Sequence, residues 1–156
     1  CVKDRSFFYW LMVDSAYTDA INKIGEMKMT KRIITTTQAP AAIGPYSQAV
    51  LSNGTLYASG QIGLVPSTGE FAGASTIDQA NQVFANIDGL LEAAALTRAD
   101  IVKVNVYLVD MADFAMVNDI YARFFQDVDV LPARSAVAVA TLPKAARIEI
   151  EVIANK

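Results

Sequence analysis

Residues 75–109, STIDQANQVFANIDGLLEAAALTRADIVKVNVYLV, change hydrophobic period partway along. In the first part Ile77, Ala80, Val83, Phe84, Ile87, Leu90, Leu91 and Ala94 recur at spacings of three and four, the stripe of an amphipathic helix. Ser75, or Thr76 with Gln79 three places on, supplies a cap for its first turn. Gly89 is an interior glycine, worth about 1 kcal/mol less than alanine in helix stability. From residue 101 to 109 the period becomes two: Val102, Val104, Val106 and Leu108 are predicted on one face of a strand, and Lys103, Asn105 and Tyr107 on the other.

Working outward, residues 32–37 are β-branched and read as a first strand, broken at Pro40 and Gly44-Pro45, after which residues 47–51 resume an extended pattern. Asn53-Gly54 brings the positive φ angles of a two-residue hairpin, so residues 55–62 are predicted to return antiparallel. Residues 66–73 are loop. Downstream, a second helix over about 111–125 carries Phe114, Val117, Tyr121, Phe124 and Phe125 on its apolar side, with Asp113 near its start. Two last strands, 134–141 and 147–154, flank Leu142-Pro143-Lys144. The order β-β-β-α-β-α-β-β predicts an α+β domain with both helices on one face of a mixed sheet. The other face would hold Lys103, Asn105, Tyr107, Glu149 and Glu151 beside apolar neighbours. It is too mixed for a dry core and too apolar for water, which points to subunits associating through it.

The 156 residues, 53% of them hydrophobic, suffice for one core without disulfide or metal staples. With 13 basic and 16 acidic residues there is no electrostatic attraction to nucleic acid or anionic lipid. Cys1 is the single cysteine, which excludes an intrachain disulfide and a thiolate metal cluster and favours a reducing, cytoplasmic setting. Histidine is absent, which excludes Ser-His and Cys-His pairs and His-ligated zinc. Chemistry must use carboxylates, Arg, Lys, Tyr, hydroxyls and backbone groups.

Residues 1–28 differ in character from the rest of the chain. Their apolar run, 7–13, is seven residues long, far short of the roughly 20 that span a bilayer. Asp4 in the leading region, and the lack of a small-x-small site close after the run, argue against a signal peptide. Met29 resembles a natural start, which makes 29–156 the domain and 1–28 an extension, read as an upstream addition, a helical arm or a targeting sequence.

Two segments are candidates for chemistry. In Leu131-Pro132-Ala133-Arg134-Ser135-Ala136-Val137-Ala138, Arg134 is a lone guanidinium in an apolar stretch. If partly buried it needs an anionic partner, either a ligand carboxylate or an internal Asp or Glu. In Ile148-Glu149-Ile150-Glu151-Val152 the isoleucines point to the helices and the glutamates away. A desolvated Glu149 would trade protons readily; the alternative is that both glutamates are solvated or paired with Lys103 and Lys144.

Gly44-Pro45-Tyr46-Ser47-Gln48, Ser59-Gly60-Gln61, Gln82 and Asn86 with residues 91–95, Phe114 with Val117-Asn118 and Tyr121, Pro132-Ala133-Arg134-Ser135 and Ile148-Glu149-Ile150 resemble the RidA/YjgF family in order and spacing, over essentially all of residues 30–156. The resemblance implies a chorismate-mutase-like α+β subunit, a homotrimer with sites at the subunit clefts, and cofactor-free, metal-free hydrolysis of 2-imino and 2-enamino acids, such as 2-aminoacrylate, 2-iminobutanoate and 2-iminopropanoate, to 2-oxo acids and ammonia. It implies that Arg134 binds the substrate carboxylate, that backbone near Gly60 and Ala136 helps hold it, that Glu149 activates the attacking water, and that Tyr46, Ser59 and Asn118 line the pocket. Ala136 and Ala138 depart from the cysteine and glutamate of many relatives, which implies a roomier, less polar pocket. The competing functions are a non-catalytic trimer that binds a small carboxylate and, less supported by an acidic chain without histidine, an endoribonuclease acting in translation inhibition.

Overall fold

The computed structural model describes residues 31–156, so the readings of residues 1–28 and of Met29 lie outside the described residues. In chain order the elements are β1 (Lys31–Ile34), β2 (Ala49–Ser52), β3 (Thr55–Ala58), β4 (Gln61–Ile62), α1 (Thr76–Ala93), β5 (Ile101–Leu108), α2 (Phe114–Phe124), β6 (Ala133–Ala138) and β7 (Ile148–Asn155). Short 3-10 turns occupy Arg98–Asp100, Met111–Asp113 and Pro143–Ala145. The strands make one mixed sheet in the order β1-β2-β3-β7-β5-β6, with β4 also pairing β7. The β5–β6 pair is parallel, and β7 runs antiparallel to β3, β4 and β5.

Alternation along β7 sends Ile148, Ile150, Val152 and Ala154 into the core, where they meet Val104, Val106 and Leu108 of β5. Over them lie Val83, Phe84, Ile87, Leu90 and Leu91 of α1, and Val117, Ile120, Tyr121 and Phe124 of α2. Each such fully buried side chain stabilises the fold by about 1.5–3 kcal/mol. Glu149, Glu151, Asn105 and Tyr107 are half-buried on the opposite face, whose far end carries the exposed Tyr57 and Ile33. Mixed sheet, two helices and divided faces agree with the sequence reading. Ser75 caps α1 by accepting from the Asp78 N–H.

Three local features depart from it. Val102 is 49% exposed and not on the inner face: Ile101 pairs with Ala154 and Lys103 with Ile153, so Val102 is the extra residue of a bulge and Ile101 takes its inward place. The strand predicted over 55–62 breaks at Ser59-Gly60 into β3, which pairs with β2 and β7, and β4, which pairs with β7 alone. The second helix begins at Phe114 after a 3-10 turn that Asp110 caps by accepting from the Ala112 N–H, and Asp113 at the junction is engaged by Arg147 and the Thr76 hydroxyl. The remaining differences are strand ends one to three residues from those expected.

Gly89 has a packing reason: a Cβ there would fall 2.6 Å from Gln38 Cβ, so the segment after β1 lies directly on α1. Asn86 ties the same helix to the sheet. Fully buried, it donates to the carbonyls of Ile62 and Leu64 at 3.3 and 3.0 Å and accepts from Gln82 at 2.8 Å. Asn86→Ala leaves both carbonyls without that donor and should lower stability by about 2–3 kcal/mol. Urea denaturation would register this as a lower midpoint with an unchanged slope.

Candidate functional site

The break between β3 and β4 opens one wall of a cleft of 480 Å³, lined by Pro40, Ile43, Tyr46, Gln48, Ser59, Gly60, Pro143, Glu149 and Glu151 among others. Its rim, residues 36–48, is held by Gln48, whose amide accepts from the Thr36 N–H and donates to the carbonyls of Thr36, Ala39 and Pro40. The Ser59 hydroxyl donates to the Ser47 carbonyl at 2.7 Å, fastening the break to the same rim. Gly60 permits the closest approach in the cleft: a Cβ at this position would lie 1.8 Å from Glu149 Oε1. Tyr46 stands exposed at the mouth, with its hydroxyl 3.5 Å from the Ile43 N–H.

Glu149 accepts no hydrogen bond among the described residues, and neither Lys103 nor Lys144 pairs with it; their ammonium groups go to Ser135 Oγ and the Gly69 carbonyl. Burial, and then the neighbouring Glu151 carboxylate, push the Glu149 carboxyl above its ordinary value. Glu151 is the partnered member of the pair, with one oxygen taking Asn105 Nδ2 at 2.7 Å and the Tyr107 hydroxyl at 2.8 Å.

Arg134 belongs to a different place. Its neighbour Ser135 is held by Lys103 on the open face, while Arg134 projects to the helix side at the sheet's β6 edge. The guanidinium lies 4.5 Å over the Tyr121 ring and 5.4 Å over the Phe114 ring, and it donates to Asn118 Oδ1 at 2.8 Å. It is exposed, so the condition under which it would need an internal carboxylate is not met, and among the described residues none pairs with it. Its cleft, 600 Å³, is walled by Asn118, Tyr121, Phe125, Asp129, Leu131 and Pro132 among others. Ala136 is half-buried against the core on the same side and is not a wall of either cleft.

The predicted residues therefore fall into two groups: Tyr46, Ser59, Gly60 and Glu149 in one cleft, Arg134 and Asn118 in another, with no shared wall. Sequence reasoning left out Gln48 as a wall of the first, Asn105 and Tyr107 as the donors to its Glu151, and Phe114 and Tyr121 as the platform of the second. Tyr121 and Phe114 were visible as a helical stripe; that the stripe ends under a guanidinium was not. Neither group carries a charge that the other cancels within one chain: the first offers a carboxylate beside an open cleft, the second a cation shaped to donate two parallel hydrogen bonds to a carboxylate.

A family model described as Endoribonuclease L-PSP matches residues 36–156. The chain is 57% identical over 130 residues to a RutC family protein of Leuconostoc mesenteroides subsp. cremoris, covering 82% of this chain and 100% of that protein. It is 48% identical over 126 residues to the 2-iminobutanoate/2-iminopropanoate deaminase of Capra hircus, covering 81% and 90%. Among solved structures it is similar to YyfA of Yersinia pestis, a Rid-family protein of unknown function, with a TM-score of 0.79, 47% identity and coverage of 81% and 100%. It is also similar to TdcF of E. coli with bound serine, with a TM-score of 0.77, 43% identity and coverage of 80% and 98%.

The charge of Glu149 has a cost that a melting experiment can read. A carboxyl whose value is raised in the folded state binds its proton more tightly there than in the unfolded chain, so stability falls as pH rises through that interval. Glu149→Gln should therefore raise the melting temperature at neutral pH, and the gain should vanish below the ordinary carboxylate range, where Glu149 itself is neutral in both states.

Proposed function

The chain belongs to the RidA/YjgF family, and from that premise we propose that it hydrolyses reactive 2-imino acids, and the 2-enamino acids that tautomerise to them, to 2-oxo acids and ammonia. The observation that carries the reading is Arg134: a guanidinium set on two aromatic rings and one neutral amide, with no carboxylate of its own among the described residues. Such a group is prepared for an external carboxylate. Serine bound in TdcF, a small 2-amino acid, supports a ligand of this size and charge.

In the proposed reaction Arg134 holds the carboxylate and thereby orients the adjacent C=N bond. Water adds to the imine carbon while Glu149 takes one of its protons and passes it to the nitrogen; the carbinol O–H proton then follows to the nitrogen through the same carboxylate, the C–N bond breaks, ammonia departs and the carbinol oxygen becomes the new carbonyl. Tyr46 and the Gly60 backbone border the reacting end. The balance is one imino acid and one water in, one oxo acid and one ammonia out, with every proton step within reach of carboxylate and water.

In a single chain Arg134 and Glu149 leave the sheet from opposite faces. A site that uses both is completed by a second copy, which supports a homotrimer with sites between subunits and gives the half-polar open face an occupant. Light scattering should return three times the chain mass. Arg134→Ala and Glu149→Ala chains, each strongly impaired alone, should recover activity when refolded together, since some interfaces then join an intact arginine to an intact glutamate.

A non-catalytic carboxylate binder would need Arg134 and would gain nothing from a glutamate without partners among the described residues. The endoribonuclease name of the family model finds little support in a chain with net charge −3 and no histidine.

The test is to generate 2-iminobutanoate and 2-iminopropanoate with an amino-acid oxidase, trap the imine with semicarbazide and follow its loss. Wild type should accelerate it. Arg134→Ala should lose on the order of 100-fold in kcat/KM, and Glu149→Ala on the order of 100-fold in kcat with ligand binding kept. Gly60→Ala, whose Cβ displaces the Glu149 carboxylate, should resemble Glu149→Ala while remaining folded. Carboxylate binding that is lost in Arg134→Ala but kept in wild type and Glu149→Ala, without turnover in any chain, would leave the binder in its place.

A further inference from the structure

Glu151 lies outside the proposed reaction, yet it is the more elaborately held of the two glutamates. In the β5–β7 ladder Glu149 stands opposite Tyr107 and Glu151 opposite Asn105. By register Tyr107 is the natural donor to Glu149. Its hydroxyl instead reaches diagonally to Glu151 Oε1, 2.8 Å away, and Asn105 Nδ2 meets the same oxygen at 2.7 Å. Both donors on this part of β5 are spent on one carboxylate, and Glu149, two residues along on the same face of the same cleft, has none among the described residues.

We propose that Glu151, with Asn105 and Tyr107, is a positioning set for Glu149: it takes away the donors that would tie Glu149 down as a carboxylate and fixes a second negative charge beside it. This rests on the reading of Glu149 as the base that receives the proton of water. A carboxylate with no donors and an anionic neighbour is a stronger base than one with two hydrogen bonds, and a stronger base takes more of the proton in the transition state. The other titratable or charged groups around Glu149 do not offset the effect. Tyr46 on the rim lies at the cleft mouth, Tyr107 is turned to Glu151, and Lys144, beside Pro143 in the cleft wall, directs its ammonium to the Gly69 carbonyl. The Tyr107 phenol carries the mark of the same contact: the hydrogen bond to Glu151, with burial second, holds it above its ordinary value.

The set predicts a signature that loss of structure does not produce. With the full chain labelled at glutamate side-chain carboxyl carbons, NMR titration follows Glu149 directly, its signal assigned by its absence from Glu149→Gln. In Glu151→Gln the Glu149 midpoint should move to lower pH. The acid limb of kcat for imine hydrolysis should move with it, the plateau should fall several-fold, and KM should stay within about twofold. Tyr107→Phe repeats the test with the carboxylate kept: it removes one of the two donors that hold the Glu151 charge beside Glu149, and the apparent Glu149 midpoint should fall. A Glu149 midpoint that stays in place in a folded Glu151→Gln or Tyr107→Phe chain overturns the proposal, as does a lower plateau with an unmoved acid limb. A displaced midpoint in a chain that hydrolyses no imine would end the deaminase reading while upholding the coupling, because the titration does not depend on turnover.

Discussion

The register of β7 against β5 is the constraint on which the other features depend. Six consecutive pairs, from Lys103 with Ile153 to Leu108 with Ile148, set which side chains face the helices and which face away. A slip of one residue would expose Ile148, Ile150 and Val152 and drive two carboxylates under α1 and α2. Several buried aliphatic side chains, at about 1.5–3 kcal/mol each, oppose that slip. β7 also pairs with β3 and β4, so the same register fixes where the break at Ser59-Gly60 lies relative to Glu149. Core and cleft are thus two sides of one alternation.

Close approach does the rest. At Gly60 the backbone comes so near Glu149 that no side chain fits, and at Gly89 the segment after β1 rests on α1 in the same way. Polar groups then hold these approaches: Gln48 organises the rim through residues 36–40, and Asn86 fastens α1 to the carbonyls of Ile62 and Leu64. Helix, strand break and cleft rim are joined by buried amides whose loss would leave carbonyls without partners. The cleft owes its shape to these contacts more than to the length of any element.

How much could be read from sequence depends on where the information resides. The stripe from Ile77 to Ala94 and the alternation of β5 and β7 are properties of single segments, and they led to the α+β order and to the division of the sheet's faces. Val102 was misplaced because a bulge is a property of two paired strands: nothing within IVKVNVYLV shows that Ile101 and Lys103 face consecutive residues of β7. The Tyr107 contact with Glu151 was hidden for the same reason, since it is a diagonal across a ladder. Arg134 was legible as an unusual residue, but its surroundings were not, because the rings beneath it come from α2 and read locally as ordinary core positions.

The arginines show how the fold distinguishes charge used for structure from charge left open. Arg98 makes two hydrogen bonds to Asp88 and a third to the Phe124 carbonyl, and Arg147 joins Asp113 and Thr76 at the starts of the two helices. Both are neutralised where they stand, and the Thr76 hydroxyl, ahead of Arg147 and against the effect of burial, keeps Asp113 below the usual carboxylate range. Arg134 is held just as definitely, but by partners without charge. An aromatic face and a neutral amide fix a guanidinium's orientation while leaving its attraction for an anion intact, whereas an Asp in place of Asn118 would satisfy it internally. Glu149 is the counterpart, kept from donors by the arrangement of its own strand's neighbours. Had Arg134 and Glu149 shared a cleft within one chain, each would be the other's partner and both would become structural. Their placement on opposite faces leaves neither charge cancelled by the other within one chain.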